Sequence, residues 1–259
     1  MRKTATTLLG LALMAILVSP ALAGNLVNES FTYPDGNLVP NGGWATFSGA
    51  ILDVQVVSGR AVGFGPNAND DHIFFTPQTL TDKTYACFIV RIPAIAAAPK
   101  PIYFAALKDG GTANFVSRVY VLPITGGFTF GLSHSSTSTT VGVVPWSAAT
   151  LLYDTDYTIV INYDPVAHSS TMWVDPVNEA STNVSITNVA IPSNPISTFA
   201  LRQSATASTL PPSPAYVGTA DWGFSVDNLG VGQTFDTACY TVPTPTRGKT
   251  WGELKAIYR

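Results

Sequence analysis

The sequence predicts an all-β fold: one large sandwich or barrel of short strands. Three observations lead there, namely scarce charge, two-residue alternation of apolar side chains, and turn chemistry between the apolar runs. Of 259 residues, 46% are hydrophobic and only 11% are charged, against roughly 25% charged in a typical soluble domain. Coiled coils, helical bundles and helical repeats need charged solvent faces and are excluded. The apolar content excludes intrinsic disorder. A formal net charge of −3 offers no basic surface for nucleic-acid phosphates.

The first segment is an address. Arg2 and Lys3 precede an apolar run from Leu8 to Val18, then Ser19, Pro20 and Ala21-Leu22-Ala23. A charged start, an apolar core and an A-x-A site make a secretory signal peptide. The run falls short of the ~20 residues that span a bilayer. Cleavage before Gly24 divides the chain into a signal peptide (1–23), a β-domain (24–242) and a tail (243–259). The expected location is extracellular, cell-surface or periplasmic. The mature chain holds 11 basic and 16 acidic residues, a net −5; residues 24–246 hold seven and fifteen, a net −8. In an oxidising compartment Cys87 and Cys239 form one disulfide or remain two buried thiols, because sequence fixes no Cα distance.

Strand signals recur through the β-domain. Tyr157, Ile159, Ile161 and Tyr163 share one face, as do Phe128, Phe130 and Leu132. Phe115–Leu122 and Tyr85–Ile92 are two further runs, and Ile102–Leu107 is continuously apolar, as in a strand covered on both faces. Lys108-Asp109-Gly110-Gly111, Thr125-Gly126-Gly127 and Tyr163-Asp164-Pro165 supply the turns. Alternation through the closing run places Phe224, Val226 and Asn228 on one face, and Ser225, Asp227 and Leu229 on the other.

Four segments in order carry a resemblance. Asp154-Thr-Asp-Tyr-Thr-Ile-Val-Ile-Asn-Tyr163 precedes Ser170-Thr-Met-Trp-Val-Asp-Pro176; Phe199-Ala-Leu-Arg-Gln203 and Phe224–Phe235 read as closing strands. With Glu29–Gly36 and Asn41-Gly-Gly-Trp44 at the start, residues 28–240 resemble bacterial concanavalin A-like (laminin-G-like) lectin and glucanase domains. Gly230 departs from the family form, which often has Arg there. The resemblance implies an all-β, concanavalin A-like jelly-roll β-sandwich of two antiparallel sheets, to which the tail adds a short C-terminal helix.

Catalytic patterns are scarce. Jelly-roll glycosidases need two carboxylates flanking the sugar bond, and their E-x-D-x-x-E signature does not occur. Residues 24–246 hold only two glutamates, Glu29, expected to open the first strand, and Glu179, expected in a turn. Asp154 and Asp156 read as a turn that caps its own backbone. G-x-S-x-G and H-E-x-x-H do not occur, and His72, His134 and His168, expected to face solvent from loops and turns, lack ligand spacing. The chain is therefore expected not to be an enzyme. Calcium is the candidate cofactor, with Asn67, Asn69, Asp70 and Asp71 as oxygen ligands in one loop, set against a plain polar turn.

Sugar sites pair aromatic faces with polar hydrogen-bonding groups. The candidate ligand-binding residues are Trp146, Trp222, Trp173 and Asp221, with Trp146 and Trp222 expected near exposed loops; Trp44 is expected to pack at a corner. The tail starts with Pro243-Thr-Pro-Thr246, an extended linker. Thr250-Trp-Gly-Glu253 then fits a capping box, with Trp251, Leu254, Ile257 and Tyr258 on one helical face beside Lys255 and Arg259. Trp251, Leu254, Lys255, Tyr258 and Arg259 are thus candidates for recognition by export machinery or a surface scaffold. The function expected is an exported, non-catalytic module for glycan binding or cell-surface adhesion. The alternatives are a structural envelope component attached through its tail and a diverged glycoside hydrolase. The expected partner is a polysaccharide or surface glycan, not nucleic acid, with no membrane span after signal removal.

Overall fold

The structure is a computed structural model that describes residues 24–49, 52–64, 69–93, 102–135, 142–147, 150–188, 194–203 and 223–239. The signal peptide and the tail lie outside them. Sixteen strands follow one another: β1 (Asn25–Glu29), β2 (Gly36–Asn37), β3 (Trp44–Ser48), β4 (Gln55–Val57), β5 (Arg60–Phe64), β6 (Asp70–Phe74), β7 (Thr84–Arg91), β8 (Ile102–Lys108), β9 (Phe115–Ile124), β10 (Gly127–Ser133), β11 (Val144–Pro145), β12 (Asp156–Asp164), β13 (Ser169–Val174), β14 (Asn183–Thr187), β15 (Thr198–Leu201) and β16 (Gly223–Gly232). A short helix α1 (Phe235–Ala238) follows β16. Among the described residues no helix is long and apolar enough to cross a membrane.

These strands form the expected jelly-roll β-sandwich. One sheet has nine strands, in the order β14-β13-β12-β7-β16-β5-β4-β2, with β1 also paired to β16. The other has seven, in the order β11-β10-β9-β8-β15-β6-β3. Neighbouring strands pair antiparallel in both. Alternation decides which side chains meet between them. Ile159, Ile161 and Tyr163 of β12 and Phe128, Phe130 and Leu132 of β10 share one core with Phe88, Phe104, Phe199 and Phe224. Phe104 stacks 5.4 Å from Phe224 and Phe88 lies 5.4 Å from Phe199, which ties the two sheets together through aromatic edges and faces.

The closing strand corrects its simple alternation. Asn228 has φ +50° and the pairing of β16 with β7 shifts register between Asp227 and Gly230. This β-bulge inserts one residue and reverses the facing of everything after it. Leu229 and Val231 therefore join Phe224 and Val226 in the core, and Asn228 does not. Glu29 closes β1 rather than opening it. Its buried carboxylate accepts from the Phe31 amide (2.6 Å), the Tyr33 hydroxyl (2.8 Å) and Trp44 Nε1 (3.1 Å), which fixes Trp44 at the expected corner. His72 and His134 are buried, not solvent-facing. His134 Nδ1 lies 2.9 Å from Ser170 Oγ, and Ser117 Oγ is 2.8 Å from the same atom, a polar link between β9 and β13 across the core. Asp156 does not cap its own turn; it binds Arg91 (2.8 Å) and Arg60 (3.1 Å).

A second, smaller cluster lies on the outer face of the nine-stranded sheet: Tyr85, Cys87, Val160, Trp173, Phe235 and Ala238. Helix α1 covers it, capped by Thr234 in a reciprocal box with Thr237. The Cys87–Cys239 disulfide, with Cα atoms 5.1 Å apart, pins the helix to β7. The close approach explains Gly230, because a Cβ there would run into the Ala238 carbonyl. The disulfide closes 152 residues of chain, and a long closed loop removes entropy from the unfolded chain. Replacing both cysteines by Ala should lower unfolding free energy by about 2–4 kcal/mol in urea titrations; unchanged stability would mean that the bridge does not form.

Candidate functional site

The seven-stranded sheet also has an outer face, and its register decides what gathers there. Thr198 of β15 pairs with Phe74 on one side and Lys108 on the other, and Lys108 pairs with Phe115. Phe74, Thr198, Lys108 and Phe115 thus form one row across β6, β15, β8 and β9. In the next row Ala200 pairs with His72 and Ala106; these two small side chains pack with Phe115 and Phe47. Tyr103 pairs with Tyr120 further along. Each of these residues alternates with a core residue of the same strand, so the core's demand for Ile73, Phe199 and Leu107 forces its neighbours outward.

Cations and rings are interleaved on this face. Lys108 Nζ sits 4.6 Å from the centre of the Phe47 ring, 3.0 Å from His72 Nδ1, 2.8 Å from the Asp109 carbonyl and 3.3 Å from Thr198 Oγ1. The Arg118 guanidinium lies 5.0 Å from Phe115 and 5.2 Å from Tyr103, and donates to the Ser135 carbonyl. Arg202 lies 4.4 Å from the same Tyr103 ring. Such distances are those of cation–π contacts. Phe74 is 52% exposed and its ring meets His72 edge-on at 4.4 Å. It is the face's open aromatic surface.

Burial sets the electrostatics. Desolvation, then the Lys108 charge, lower His72 to about 4. Lysine has only donors, so neutral His72 accepts at Nδ1 and carries its proton on Nε2. Desolvation lowers Lys108 to about 8 against the pull of Asp109. Burial also lowers Arg118, with a further push from Arg202, and raises Tyr120 to about 12.

The residues expected from sequence are placed elsewhere or lie outside the description. Trp146 is not exposed: at 7% exposure it packs into the main core, where the short β11 tucks it beside β10. Trp173 lies under α1 and donates from Nε1 to the Glu179 carbonyl (3.1 Å), while its neighbour Met172 faces the core. Asp221, Trp222 and Asn67 lie outside the described residues, as do Trp251, Leu254, Lys255, Tyr258 and Arg259. Asp70 and Asp71 are buried at successive strand positions and point to opposite faces, so their carboxylates do not converge on one ion. Asp70 Oδ1 accepts from the Gln203 amide (3.0 Å), Asp71 Oδ2 from the Val54 amide (2.7 Å), and Asn69 donates to Asp53 (2.7 Å). Among the described residues no three His, Cys, Asp or Glu side chains gather as a metal group.

The aromatic rings on this side of the sheet are Phe and Tyr, set beside Arg and Lys, rather than the Trp expected from sequence. The signal lay in outward positions of two runs marked by the sequence, Tyr103 of Ile102–Leu107 and Arg118 and Tyr120 of Phe115–Leu122; His72 and Phe74 lie on β6, which reads as a loop, and Lys108 in what reads as a turn. Against solved structures, the fold matches the CBM2 module of the evolved Dit of Lactobacillus casei BL23 phage J-1 at a TM-score of 0.52 and 12% identity, over 82% of this chain and 96% of that one. The likeness is one of fold. A sialidase matches at a TM-score of 0.52 and 11% identity over 83% of this chain, which spans 19% of the sialidase chain. No protein-family model and no curated protein sequence matches the chain.

Asp71 yields a pH test. Burial raises its carboxyl to about 7, with Asp53 and Asp70 adding to the shift and the Val54 amide opposing it. A carboxyl raised in the folded state stabilises fully below its unfolded value, about 4, and that stability is lost as pH rises through the folded value. His72, lowered, acts in the opposite sense over an overlapping range, so the comparison is with Asp71→Asn, in which the His72 contribution cancels. Wild type should lose stability relative to Asp71→Asn between pH ~4 and ~7 in urea titrations; parallel profiles would show that Asp71 is not raised.

Proposed function

We propose that this chain is an exported, non-catalytic glycan-binding module whose ligand lies on the outer face of the seven-stranded sheet. The observation that carries the reading is the exposed Phe74 ring, set in one row with Thr198, Lys108 and Phe115 and beside the row of His72. Sugar rings stack their apolar faces on aromatic rings and give their hydroxyls to polar neighbours. Phe74 offers the open ring, and Arg202, half-buried two rows away, offers a donor fork; Thr198 and His72 are buried and already bonded to Lys108 and Asp109. The fold shared with a CBM2 module and a sialidase supports sugars as the ligand class. The outer side of the opposite sheet is partly covered by α1, the disulfide and the Arg60–Asp156–Arg91 cluster, with a cleft between α1 and Val177. The lack of catalysis is proposed because the carboxylates beside the aromatic face, Asp70 and Asp109, are buried and engaged by the Gln203 amide and by Asn114 and Asn194, whereas glycoside hydrolysis requires a pair that reaches the sugar.

Affinity electrophoresis of wild type and Phe74→Ala in gels containing plant, bacterial or animal polysaccharides tests the proposal. Wild type should be retarded by at least one polysaccharide, and Phe74→Ala should bind it about two- to tenfold more weakly, the range of one lost ring contact. Unretarded wild type on every polysaccharide would overturn the glycan reading. Release of reducing ends from the retained polysaccharide would overturn the non-catalytic part.

A further inference from the structure

We infer that the glycan held on this face is acidic, a polysaccharide bearing carboxylate or sulfate groups; the inference rests on the glycan reading above. It comes from how the molecule spends its few cations. The described residues of the β-domain include six basic side chains: Arg60, Lys83, Arg91, Lys108, Arg118 and Arg202. Three belong to the nine-stranded sheet or its flank and are paired: Arg60 and Arg91 with Asp156 at 3.1 and 2.8 Å, and Lys83 with Asp164 at 3.1 Å. The other three lie on the outer side of the seven-stranded sheet, Lys108 and Arg118 buried and Arg202 half-buried, and there the pairing is weak.

Among the described residues, neither Lys108 nor Arg118 has a carboxylate within ion-pairing distance, and Arg202 has only Asp70 at 3.9 Å. Asp109 follows Lys108 in the chain, but its carboxylate is taken by Asn114 (2.7 Å), Asn194 (2.9 Å) and the Gly111 amide (2.9 Å). Arg118 is 5% exposed and its Nε has no acceptor. A guanidinium cannot shed its proton, so burying one without an anion is costly. Arg118 and Arg202 also stand against the same Tyr103 ring, at 5.2 and 4.4 Å, where their like charges oppose each other. An anion brought to Arg202 relieves that opposition and meets a planar donor fork suited to carboxylate or sulfate oxygens. Apart from these three cations, residues 24–246 hold four basic and fifteen acidic side chains. A polyanion is therefore repelled by the remainder of the surface and attracted to this face.

The test measures retention of wild type, Arg202→Gln, Arg202→Lys and Phe74→Ala by carboxylated (polygalacturonate, alginate), sulfated (dextran sulfate) and neutral (dextran, xylan) polysaccharides. Wild type should favour an acidic polysaccharide, and the preferred acid group identifies carboxylate or sulfate as the source. Arg202→Gln should weaken that binding about tenfold or more, Arg202→Lys should recover part of it, and salt at about 0.5 M should weaken wild type towards Arg202→Gln. If wild type binds neutral polysaccharides as well as acidic ones, and Phe74→Ala weakens binding while Arg202→Gln does not, the acidic inference is overturned and the glycan reading stands. If no polysaccharide of any class is retained, both are overturned.

Discussion

The pleat of the seven-stranded sheet is the constraint on which the candidate site depends. One face of each strand must supply the core, and the intervening residues have no other place than the opposite face. Ile73, Phe199, Leu107 and Val116 are committed inward. The outward positions then fall into rows fixed by hydrogen-bond register, and these rows hold Phe74, Lys108, Phe115, Tyr103 and Tyr120. A one-residue slip in β8 would turn Lys108 towards the core, and one in β15 would turn Phe199 out of it. The packing that stabilises the sandwich therefore also assembles the surface.

The two outer faces are finished differently. On the nine-stranded sheet, β16 pairs with β7 along one edge and with β5 and β1 along the other. Its bulge at Asn228 and the bare backbone at Gly230 make room for α1, and the disulfide holds the helix down. Arginine and aspartate close most of the remaining charge there. On the seven-stranded sheet, cations rest on rings rather than on carboxylates, and one ring is left open at Phe74. The exposed ring of Phe74 thus stands on a side of the sheet whose cations Lys108 and Arg118 are buried and whose Arg202 is half-buried.

Much of the fold was legible because its signals are local. Alternation in Tyr157–Tyr163 and Phe128–Leu132 and the turn residues after Lys108 and Tyr163 located strands and reversals directly. What failed were features decided at long range. The bulge at Asn228 comes from pairing with β7 and from the approach of Ala238, and its one local sign is an Asn, a residue that tolerates positive φ. The burial of His72 and His134 depends on partners 36 positions away in each case, Lys108 and Ser170. The site was legible only in part. Large aromatics were sought as tryptophan near loops, yet Trp146 and Trp173 serve packing. The proposed face is made of strand residues from five segments that register alone brings together.

A hydrogen-exchange footprint of the retained polysaccharide, taken as short oligosaccharides, tests the central claim most directly. Protection is expected in peptides covering β6, β8, β9 and β15, with the peptides of β12, β13 and α1 unchanged. Protection confined to β12, β13 and α1 would contradict the account and move the ligand to the opposite sheet.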